Sequence, residues 1–467
     1  MKAYRESISI RQIKRVLLFL GIGTGVLLLF LNSPAGLSEK GMDSLGIATI
    51  CVTLWVLTPI PLAATSLAAM VLLSSLNILE ATVVFSFFGN SAVFFLLGVF
   101  IIAGAVMHTG LSKRFALFLM SRFDNKPRSY IMGILFTSSF LSLLMPEHAV
   151  AAMMFPVVVE ISQSLKLEKG KSQFAMAMFL AMAWGAVAGG IGTFLGGARA
   201  PLAVELLHET FGREISFATW AVAAVPLALA LTVAIYFVLI YSFKFEIKDV
   251  TPAKIILEQE IQRMGRMSKN EIKVGILLFA TIFMWVYGGQ NMNLATISLA
   301  AAVMVFVLKI ASWLEVSDYI NWGVIVMYGG AIALGKALAE TSTIDWMAKQ
   351  VITLAPFSPF IIILLLAALS KLITELISNV AAVVILVPFS FGFASSLGVS
   401  PEFLAVAMTI PAGLAFFLPV GTPPNAIAYA SGYLSLKNVI KPGILLSIIA
   451  WIFFILVAKF YWPLILK

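Results

Sequence analysis

The chain has 467 residues, of which 61% are hydrophobic and only 11% are charged, whereas an average soluble domain has about 25% charged residues. A soluble fold could not cover so much apolar surface, and the same figures exclude a disordered, collagen-like, coiled-coil or disulfide-rich chain. The single cysteine, Cys51, gives no disulfide and no zinc or iron–sulfur spacing. The composition therefore predicts a polytopic membrane protein.

Many apolar segments approach the length of about 20 residues that a helix needs to cross a bilayer. In chain order these runs lie at 16–32, 45–58, 61–76, 91–110, 174–208, 217–243, 272–288, 294–310, 321–339, 402–432 and 441–463. Two further apolar stretches, 130–163 and 358–392, are interrupted by Pro146-Glu147-His148 and by Ser378-Asn379.

The net charge of +9 resides in short segments between these runs, which indicates cytoplasmic loops rather than a nucleic-acid-binding surface. We expect a cytoplasmic N-terminus, because the first fifteen residues hold one acid, Glu6, against five basic residues: Lys2, Arg5, Arg11, Lys14 and Arg15.

The same rule predicts that both interrupted stretches are re-entrant hairpins. Basic segments at 113–128 and 164–172 flank 130–163, so this stretch enters and leaves on the cytoplasmic side. A re-entrant 358–392 places Lys437 and Lys441 inside and the C-terminus outside.

The two halves of the chain match each other. "LLMPEHAVAAMMFPVV" at 143–158 corresponds to "LISNVAAVVILVPFSF" at 376–391, and each hairpin precedes a span with a glycine-rich break, at 189–204 and 417–432. The hairpins open from opposite sides, so the predicted fold is all-α, with about eleven transmembrane helices plus two re-entrant hairpins in inverted repeats. Paired breaks in inverted halves indicate a transporter's binding site near the bilayer midplane.

The chemistry of these breaks suits an anion and a cation. Freed amides and the positive ends of half-helices attract carboxylate or sulfate oxygens, and oxygens of Thr374, Ser378, Asn379 and Thr422 can coordinate sodium. No G-x-x-x-x-G-K-[ST] motif occurs, so transport is predicted to be driven by ion gradients. No catalytic motif is present, and we expect neither an enzyme nor an organic cofactor.

At these residues the chain resembles a known family. "FLPVGTPPNAIAYASG", with "TELISN" before it, is similar to the divalent anion/sodium symporters, the INDY-type carriers of dicarboxylates, citrate or sulfate, and the resemblance covers most of the chain. It implies a homodimer with an elevator-like moving domain, hairpin tips that bind the substrate, and one sodium in each half. In that family each tip carries Ser-Asn-Thr, and each broken span carries a Gly/Ala-Thr-Pro-Pro-Asn-like element.

The second half keeps most of this pattern, with Val380 in place of the threonine. The residues predicted to bind the substrate are Glu147, His148, Ser378, Asn379, Thr422, Pro423 and Asn425. The residues predicted to form at least one Na⁺ site are Thr374, Ser378, Asn379, Gly421 and Thr422.

The first half departs strongly from the pattern. Pro146-Glu147-His148 replaces Ser-Asn-Thr, and Gly197-Ala198-Arg199-Ala200 stands where Ser-Pro-Pro-Asn is expected. An intramembrane charge costs about 2.5–3.5 kcal/mol at a helix centre, so such residues pair or line a path. Our hypothesis is that Arg199, partnered by Glu147, supplies a fixed charge where a sodium would bind, which would reduce sodium coupling or allow anion exchange.

Simpler interpretations of these residues remain open at this point. Glu147 could only cap a half-helix, His148 could be a satisfied buried histidine rather than a proton carrier, and Arg199 could snorkel to the outer surface. Ser378 and Asn379 could only be helix breakers.

The sequence thus predicts a sodium-coupled, elevator-type secondary active transporter of small divalent anions, di- or tricarboxylates or sulfate. The alternatives are a proton-coupled carrier or anion exchanger on the same scaffold, or an anion channel. Its partners are the anion, the lipid bilayer and a second copy of the chain, without nucleic acid, in a bacterial-type plasma (inner) membrane.

The predicted organisation has five parts. They are the N-terminal scaffold helices at 1–129, the first transport element at 130–208, connecting and scaffold helices at 209–357 with a cytoplasmic loop at 244–271, the second transport element at 358–432, and the C-terminal helix at 433–467.

Overall fold

The computed structural model describes residues 8–289, 292–354 and 357–466, with the side chains described from residue 12 onward. These residues form helices joined by short connections, and no strand occurs among them. The basic residues Lys2 and Arg5 and the acid Glu6, which contribute to the predicted orientation of the N-terminus, lie outside the described residues.

The helices before the first interrupted stretch are α1 (Ile8–Leu28), α2 (Glu39–Leu57), α3 (Leu62–Ser75), α4 (Ala81–Ser86), α5 (Ser91–His108) and α6 (Leu111–Met120). The first hairpin and broken helix comprise α7 (Pro127–Ser142), α8 (Glu147–Ser164), α9 (Gln173–Gly190) and α10 (Arg199–Phe211).

The connecting helices are α11 (Phe217–Ser242), α12 (Thr251–Met264), α13 (Lys269–Phe283), α14 (Leu294–Val307), α15 (Trp313–Ser317), α16 (Trp322–Glu340) and α17 (Thr343–Leu354). The second hairpin and broken helix comprise α18 (Pro359–Leu376), α19 (Asn379–Phe391), α20 (Ala394–Leu397), α21 (Pro401–Ala412) and α22 (Pro423–Ala430), and α23 (Leu436–Leu456) follows.

All four predicted interruptions are present. The arms of each hairpin pack together, α7 on α8 and α18 on α19. The exact position of the first break differs from the prediction, because Glu147 and His148 begin α8 instead of lying in the gap. Pro146 explains the shift: it lacks an amide proton and is well placed just before a helix starts.

The number of crossings stays a prediction. Eight helices among the described residues are long and apolar enough to span a membrane, compared with the eleven crossings expected. The broken spans 174–208 and 402–432 each divide into shorter helices, and α3 and α14 have only 14 residues each. The charged loop at 244–271 contains a helix, α12, that the sequence pattern did not predict.

The core is centred on α9, in which all residues but the first are buried. Its alanines and glycines let neighbouring helices approach closely: a side chain at Gly189 would overlap the carbonyl oxygen of Ser139 in α7. In contrast, large apolar side chains on α11 and α13, such as Val233, Phe237, Ile276 and Phe279, are exposed. An outer apolar surface of this kind is typical of helices that face lipid.

Candidate functional site

The two hairpin tips and both broken helices meet at one cavity of about 350 Å³. Its wall is formed by the starts of α8, α10, α19 and α22 and by residues of α3, α5 and α16, including Asn321 at the start of α16. Of the residues predicted to bind the substrate or carry charge, six line it: Glu147, His148, Arg199, Ser378, Asn379 and Pro423.

Glu147 and Arg199 form a buried ion pair in this wall. Arg199 Nη1 lies 3.0 Å from Glu147 Oε2, and the two residues are only 4% and 3% exposed, so Arg199 does not snorkel to a surface. Arg199 is the first residue of α10, where a positive charge opposes the helix dipole, whereas Glu147 at the start of α8 is favoured by it. The pairing of the two side chains therefore offsets an unfavourable placement of Arg199.

Glu147 also connects the two halves of the molecule. Asn379 Nδ2, at the second tip, donates to Glu147 Oε1 across 3.3 Å. Asn379 Oδ1 accepts from Thr374 Oγ1 at 2.7 Å, and the same hydroxyl is near enough to donate to the carbonyl of Ala412 at the end of α21. A polar chain thus runs from the first broken helix through both tips to the second broken helix.

Small residues make room for this pair. The amide of Glu147 donates to the carbonyl of Gly196 at 2.9 Å, and a Cβ at Gly190 would lie 2.5 Å from Glu147 Oε2 and 3.3 Å from Arg199 Nη2. The sequence predicted the glycine-rich break, but it did not predict that these glycines leave the space that the ion pair occupies. The signal was the high glycine content immediately before Arg199.

The predicted residues of the second broken helix hold its interruption in shape. Thr422 caps α22 by accepting from the amide of Asn425. Asn425 Nδ2 donates to the carbonyls of Ala415 at 3.0 Å and Leu418 at 3.3 Å. Thr422 and Asn425 are buried behind the cavity wall, and their predicted contact with the anion stays a prediction.

The candidate sodium ligands are close together. Thr374 and Asn379 are hydrogen-bonded, Ser378 precedes Asn379, and Thr422 follows Gly421. A Cβ at Gly421 would lie 3.0 Å from the carbonyl oxygen of Thr374, so only glycine fits easily at this approach of two backbones. The grouped hydroxyl, amide and carbonyl oxygens are the donor set that suits sodium.

Lys371 and Glu375 support the same break from the hairpin arm. The two residues are at i,i+4 spacing in α18, with 3.6 Å between Nζ and Oε1. Glu375 accepts from the amides of Phe416, Phe417 and Leu418, and Lys371 Nζ donates to the carbonyl of Leu414 at 2.7 Å. Both side chains are buried and satisfy backbone groups that the interruption of the helix leaves free.

Two further residues belong to this region: His148 lines the cavity, and Tyr328 is hydrogen-bonded to a residue that lines it. His148 is half-buried and lines both the central cavity and a second one that reaches Asp318 and Tyr319. Tyr328 in α16 donates to the carbonyl of Ala198, immediately before α10. The sequence pattern missed Tyr328, although a single tyrosine beside a glycine pair in an apolar helix was the available signal.

The comparisons with known proteins agree with this architecture. A family model described as the sodium:sulfate symporter transmembrane region matches residues 12–467. The sodium-dependent dicarboxylate transporter SdcS of Staphylococcus saprophyticus is 29% identical, with 96% of this chain and 91% of that protein covered. SdcS of Staphylococcus aureus is 28% identical with the same coverage.

Solved structures of other transporters are similar in fold. MtrF of Neisseria gonorrhoeae, one of a class of antimetabolite efflux pumps, has a TM-score of 0.57 at 12% identity, with 96% of this chain and 94% of that chain covered. The YdaH transporter of Alcanivorax borkumensis has a TM-score of 0.53 at 15% identity, with 81% and 88% covered. At these identities the likeness concerns the fold alone.

Proposed function

This chain belongs to the sodium:sulfate symporter family, and on this premise we propose that it is a secondary active transporter that couples movement of small divalent anions, di- or tricarboxylates or sulfate, to sodium. The names of the staphylococcal relatives support this proposal. The observation that carries it is the meeting of both hairpin tips in one cavity, where Asn379 is hydrogen-bonded to Glu147. Secondary transporters bind their substrates at such paired interruptions.

The anion is proposed to bind at the start of α19. The first amide that is bonded into this helix is that of Ala382, which donates to the carbonyl of Ser378. Among the described residues, no group accepts from the amides of residues 379–381, so these amides are free for a ligand, and a helix N-terminus attracts anions. Ser378 and Asn379 add a hydroxyl and an amide, while Pro423 and His148 contribute to the wall.

At least one sodium ion is proposed to bind beside the anion. Its ligands are oxygens of Thr374, Ser378, Asn379, Gly421 and Thr422. The close approach of Gly421 to Thr374 and the burial of Thr374 and Thr422 support this assignment.

Arg199 is proposed to replace the sodium of the first half. The sequence motif of the first half has Arg199 within the element that corresponds to the second-half sodium motif, and Glu147 contacts its guanidinium at 3.0 Å. Unlike a sodium ion, a side-chain charge cannot be bound from one side of the membrane and released to the other. The transporter would therefore couple to fewer sodium ions. The same feature, together with His148 in the cavity, supports the alternative of a proton-coupled carrier or anion exchanger.

Movement is proposed to be elevator-like. The transport elements 130–208 and 358–432 would move against 1–129, 209–357 and 433–467, within a homodimer in the plasma membrane, with a cytoplasmic N-terminus and an external C-terminus. The scaffold side of the cavity supports this, because α3, α5 and α16 present apolar side chains such as Leu62, Val99 and Met327 to the tips. The hydrogen bonds of Tyr328 to Ala198 and of Asn90 and Ser91 to Glu205 also cross between the two groups and would have to break during such a movement.

The direct test is uptake of labelled succinate, citrate and sulfate into proteoliposomes, each with a sodium gradient, a proton gradient or no gradient. We expect accumulation of at least one anion that requires the sodium gradient. Accumulation that needs only a proton gradient, or only an anion on the opposite side, would select the alternative. Failure of all three anions under every gradient would contradict the proposal.

A further inference from the structure

A basic cavity of about 600 Å³, separate from the central one, lies at the end of α11. Its wall is formed by the start of α9 with the turn before it, by Ser242 and Phe243 at the end of α11, and by the first half of α23. Among the described residues that line it, the charged ones are Lys171, Lys437 and Lys441, and none is acidic. The cavity therefore concentrates positive charge and suits an anion.

Two of these lysines repel each other without a compensating acid. Lys437 and Lys441 lie four residues apart on α23 and so share one face of the helix. No ion pair among the described residues includes either of them, whereas Lys171 pairs with Glu168 across 2.8 Å. The surrounding sequence offers no acid, since no Asp or Glu occurs at 403–467. An anion bound between Lys437 and Lys441 would remove this repulsion.

The neighbouring elements add a donor and no carboxylate. Gln173 lines the cavity, and its Oε1 accepts from the amide of Lys244 at 2.6 Å, which leaves its Nε2 for a ligand. Glu246, in the segment after α11, is not part of the lining. Its oxygens accept from the amide of Phe174 and from the hydroxyl of Ser172.

The face of α23 that carries the lysines continues as an apolar stripe. Leu445, Ile448 and Ile452 follow Lys441 at helical spacing and are exposed. Lys441 can extend its ammonium group along the helix toward the bilayer surface. Positive charge at the start of a helix, followed by exposed apolar side chains, matches the two parts of a phospholipid, an anionic headgroup and acyl chains. A soluble anion would use only the first part.

A neighbouring cavity extends the basic surface at this end of the molecule. It has a volume of about 440 Å³, shares Phe243 with the first cavity, and is lined by Lys126, Arg128 and Lys244. None of the described residues in its lining is acidic. The charge pattern of the sequence predicts that this end is cytoplasmic, where anionic lipids attract basic segments.

We propose that the cavity beside Lys437 and Lys441 binds the phosphate of an anionic phospholipid. The two ammonium groups neutralise the phosphate, Gln173 donates to one of its oxygens, and the acyl chains lie along Leu445 and Ile448. Because α9, α11 and α23 all contribute to the wall, the lipid connects these three helices. The lipid site uses no residue of the proposed transport site, so the two proposals can fail separately.

The test is equilibrium binding of labelled phosphatidylglycerol to the purified, full-length protein in a neutral detergent. Unlabelled phosphatidylglycerol and phosphatidylcholine with identical acyl chains compete for the site, and we expect the anionic lipid to bind on the order of tenfold more tightly. The preference should decrease as the ionic strength rises, because exposed charges are screened. Inorganic phosphate should displace no more lipid than chloride of equal ionic strength does, since it has no acyl chains.

Three double variants locate the site. Lys437→Gln/Lys441→Gln should reduce the preference for phosphatidylglycerol over phosphatidylcholine to less than about threefold. Lys437→Arg/Lys441→Arg keeps both charges and should retain the preference. Lys126→Gln/Arg128→Gln is the matched control, because it removes two exposed positive charges from the neighbouring cavity, and it should also retain the preference. Size-exclusion profiles and thermal midpoints confirm that the variants fold.

The wild type alone can overturn the inference, by equal affinity for the two lipids or by a preference that does not depend on salt. An unchanged preference in Lys437→Gln/Lys441→Gln, or an equal loss in the matched control, would also overturn it. Displacement by inorganic phosphate beyond that caused by chloride would identify a free anion as the ligand and exclude the lipid. None of these measurements involves transport, so sodium-driven uptake stays a separate test of the proposed function.

Discussion

Nη1 of Arg199 lies 3.0 Å from Oε2 of Glu147, and this contact joins the start of α10 to the start of α8, the two interruptions of the first half. The pair is neutral as a whole, but it is not symmetrical. Glu147 uses both oxygens, on Arg199 and Asn379, whereas the buried Nη2 of Arg199 has no hydrogen-bond partner among the described residues. The arrangement joins the two hairpin tips through the carboxylate of Glu147.

Removing one member of this pair is predicted to destabilise the protein strongly. In Arg199→Met, Glu147 stays buried without its cation, and we expect a loss of about 3–5 kcal/mol in the free energy of unfolding. The double variant Arg199→Met/Glu147→Leu should recover much of this loss, because neither charge remains. Chemical unfolding in detergent measures both values. Equal losses in the single and double variants would contradict a coupled pair.

Space for the pair is predicted to be limiting at Gly190. A Cβ there would lie 2.5 Å from Glu147 Oε2, so Gly190→Ala should displace the carboxylate, costing about 1–3 kcal/mol of stability and reducing anion affinity. Gly23→Ala is the matched control, since Gly23 is also helical but has no neighbour within 4 Å of the added Cβ. Thermal unfolding and uptake together provide the measurement. Wild-type behaviour of Gly190→Ala would be evidence against this packing.

Two lysine–glutamate pairs at i,i+4 spacing are predicted to differ in their contribution to stability. Lys371 and Glu375 are buried and 3.6 Å apart, so Glu375→Gln should lose about 3–5 kcal/mol by leaving Lys371 unpaired. Lys336 and Glu340 are 3.7 Å apart but partly exposed, so Glu340→Gln should lose less than about 1 kcal/mol. Unfolding experiments on the two variants side by side measure the loss in free energy of unfolding for each. Equal losses would show that burial does not determine how much each pair contributes to stability.

Acid pH is predicted to loosen α12 from α6. Two hydrogen bonds, the larger effect from Lys113 and the smaller from Arg263, hold the pKa of Glu260 below its ordinary value of 4.5. Because the folded pKa is lowered, this contact stabilises the docked loop fully above pH 4.5, and the contribution is lost as the pH falls through the lowered pKa. The protection factors of the amides in 251–264, which correct for the slower intrinsic exchange at acid pH, should therefore fall on acidification. Glu260→Gln should remove that pH dependence, and an unchanged profile in the variant would exclude Glu260 as its source.

Much of the fold could be predicted because the bilayer restricts it. The interruptions at 143–146 and 377–378 were visible in the sequence as polar or proline residues within apolar runs, and a membrane tolerates such breaks only inside protein. Helix α12 was missed because its apolar residues are few and a charged loop gives no hydropathy signal. The number of crossings could not be read from helix lengths, because a broken span divides into helices that are each too short.

The sequence predicted which residues form the candidate site, but it did not predict the contacts between them. Glu147 and Arg199 were selected because unpaired charges are costly at membrane depth, and pairing follows from that cost. The hydrogen bond from Asn379 to Glu147 connects residues 232 positions apart, and no local pattern encodes such a contact. Thr422 and Asn425 were assigned to the substrate by motif, whereas their side chains bond to the backbone of the break.

The sodium stoichiometry of the wild-type protein tests the central claim most directly, namely that Arg199 occupies the place of one coupling cation. Initial rates of uptake of the labelled anion into proteoliposomes, measured against sodium concentration, together with the ratio of sodium to anion transported, provide the value. We predict non-cooperative dependence on a single sodium ion. Two cooperative sodium ions in the wild type would contradict the assignment of Arg199.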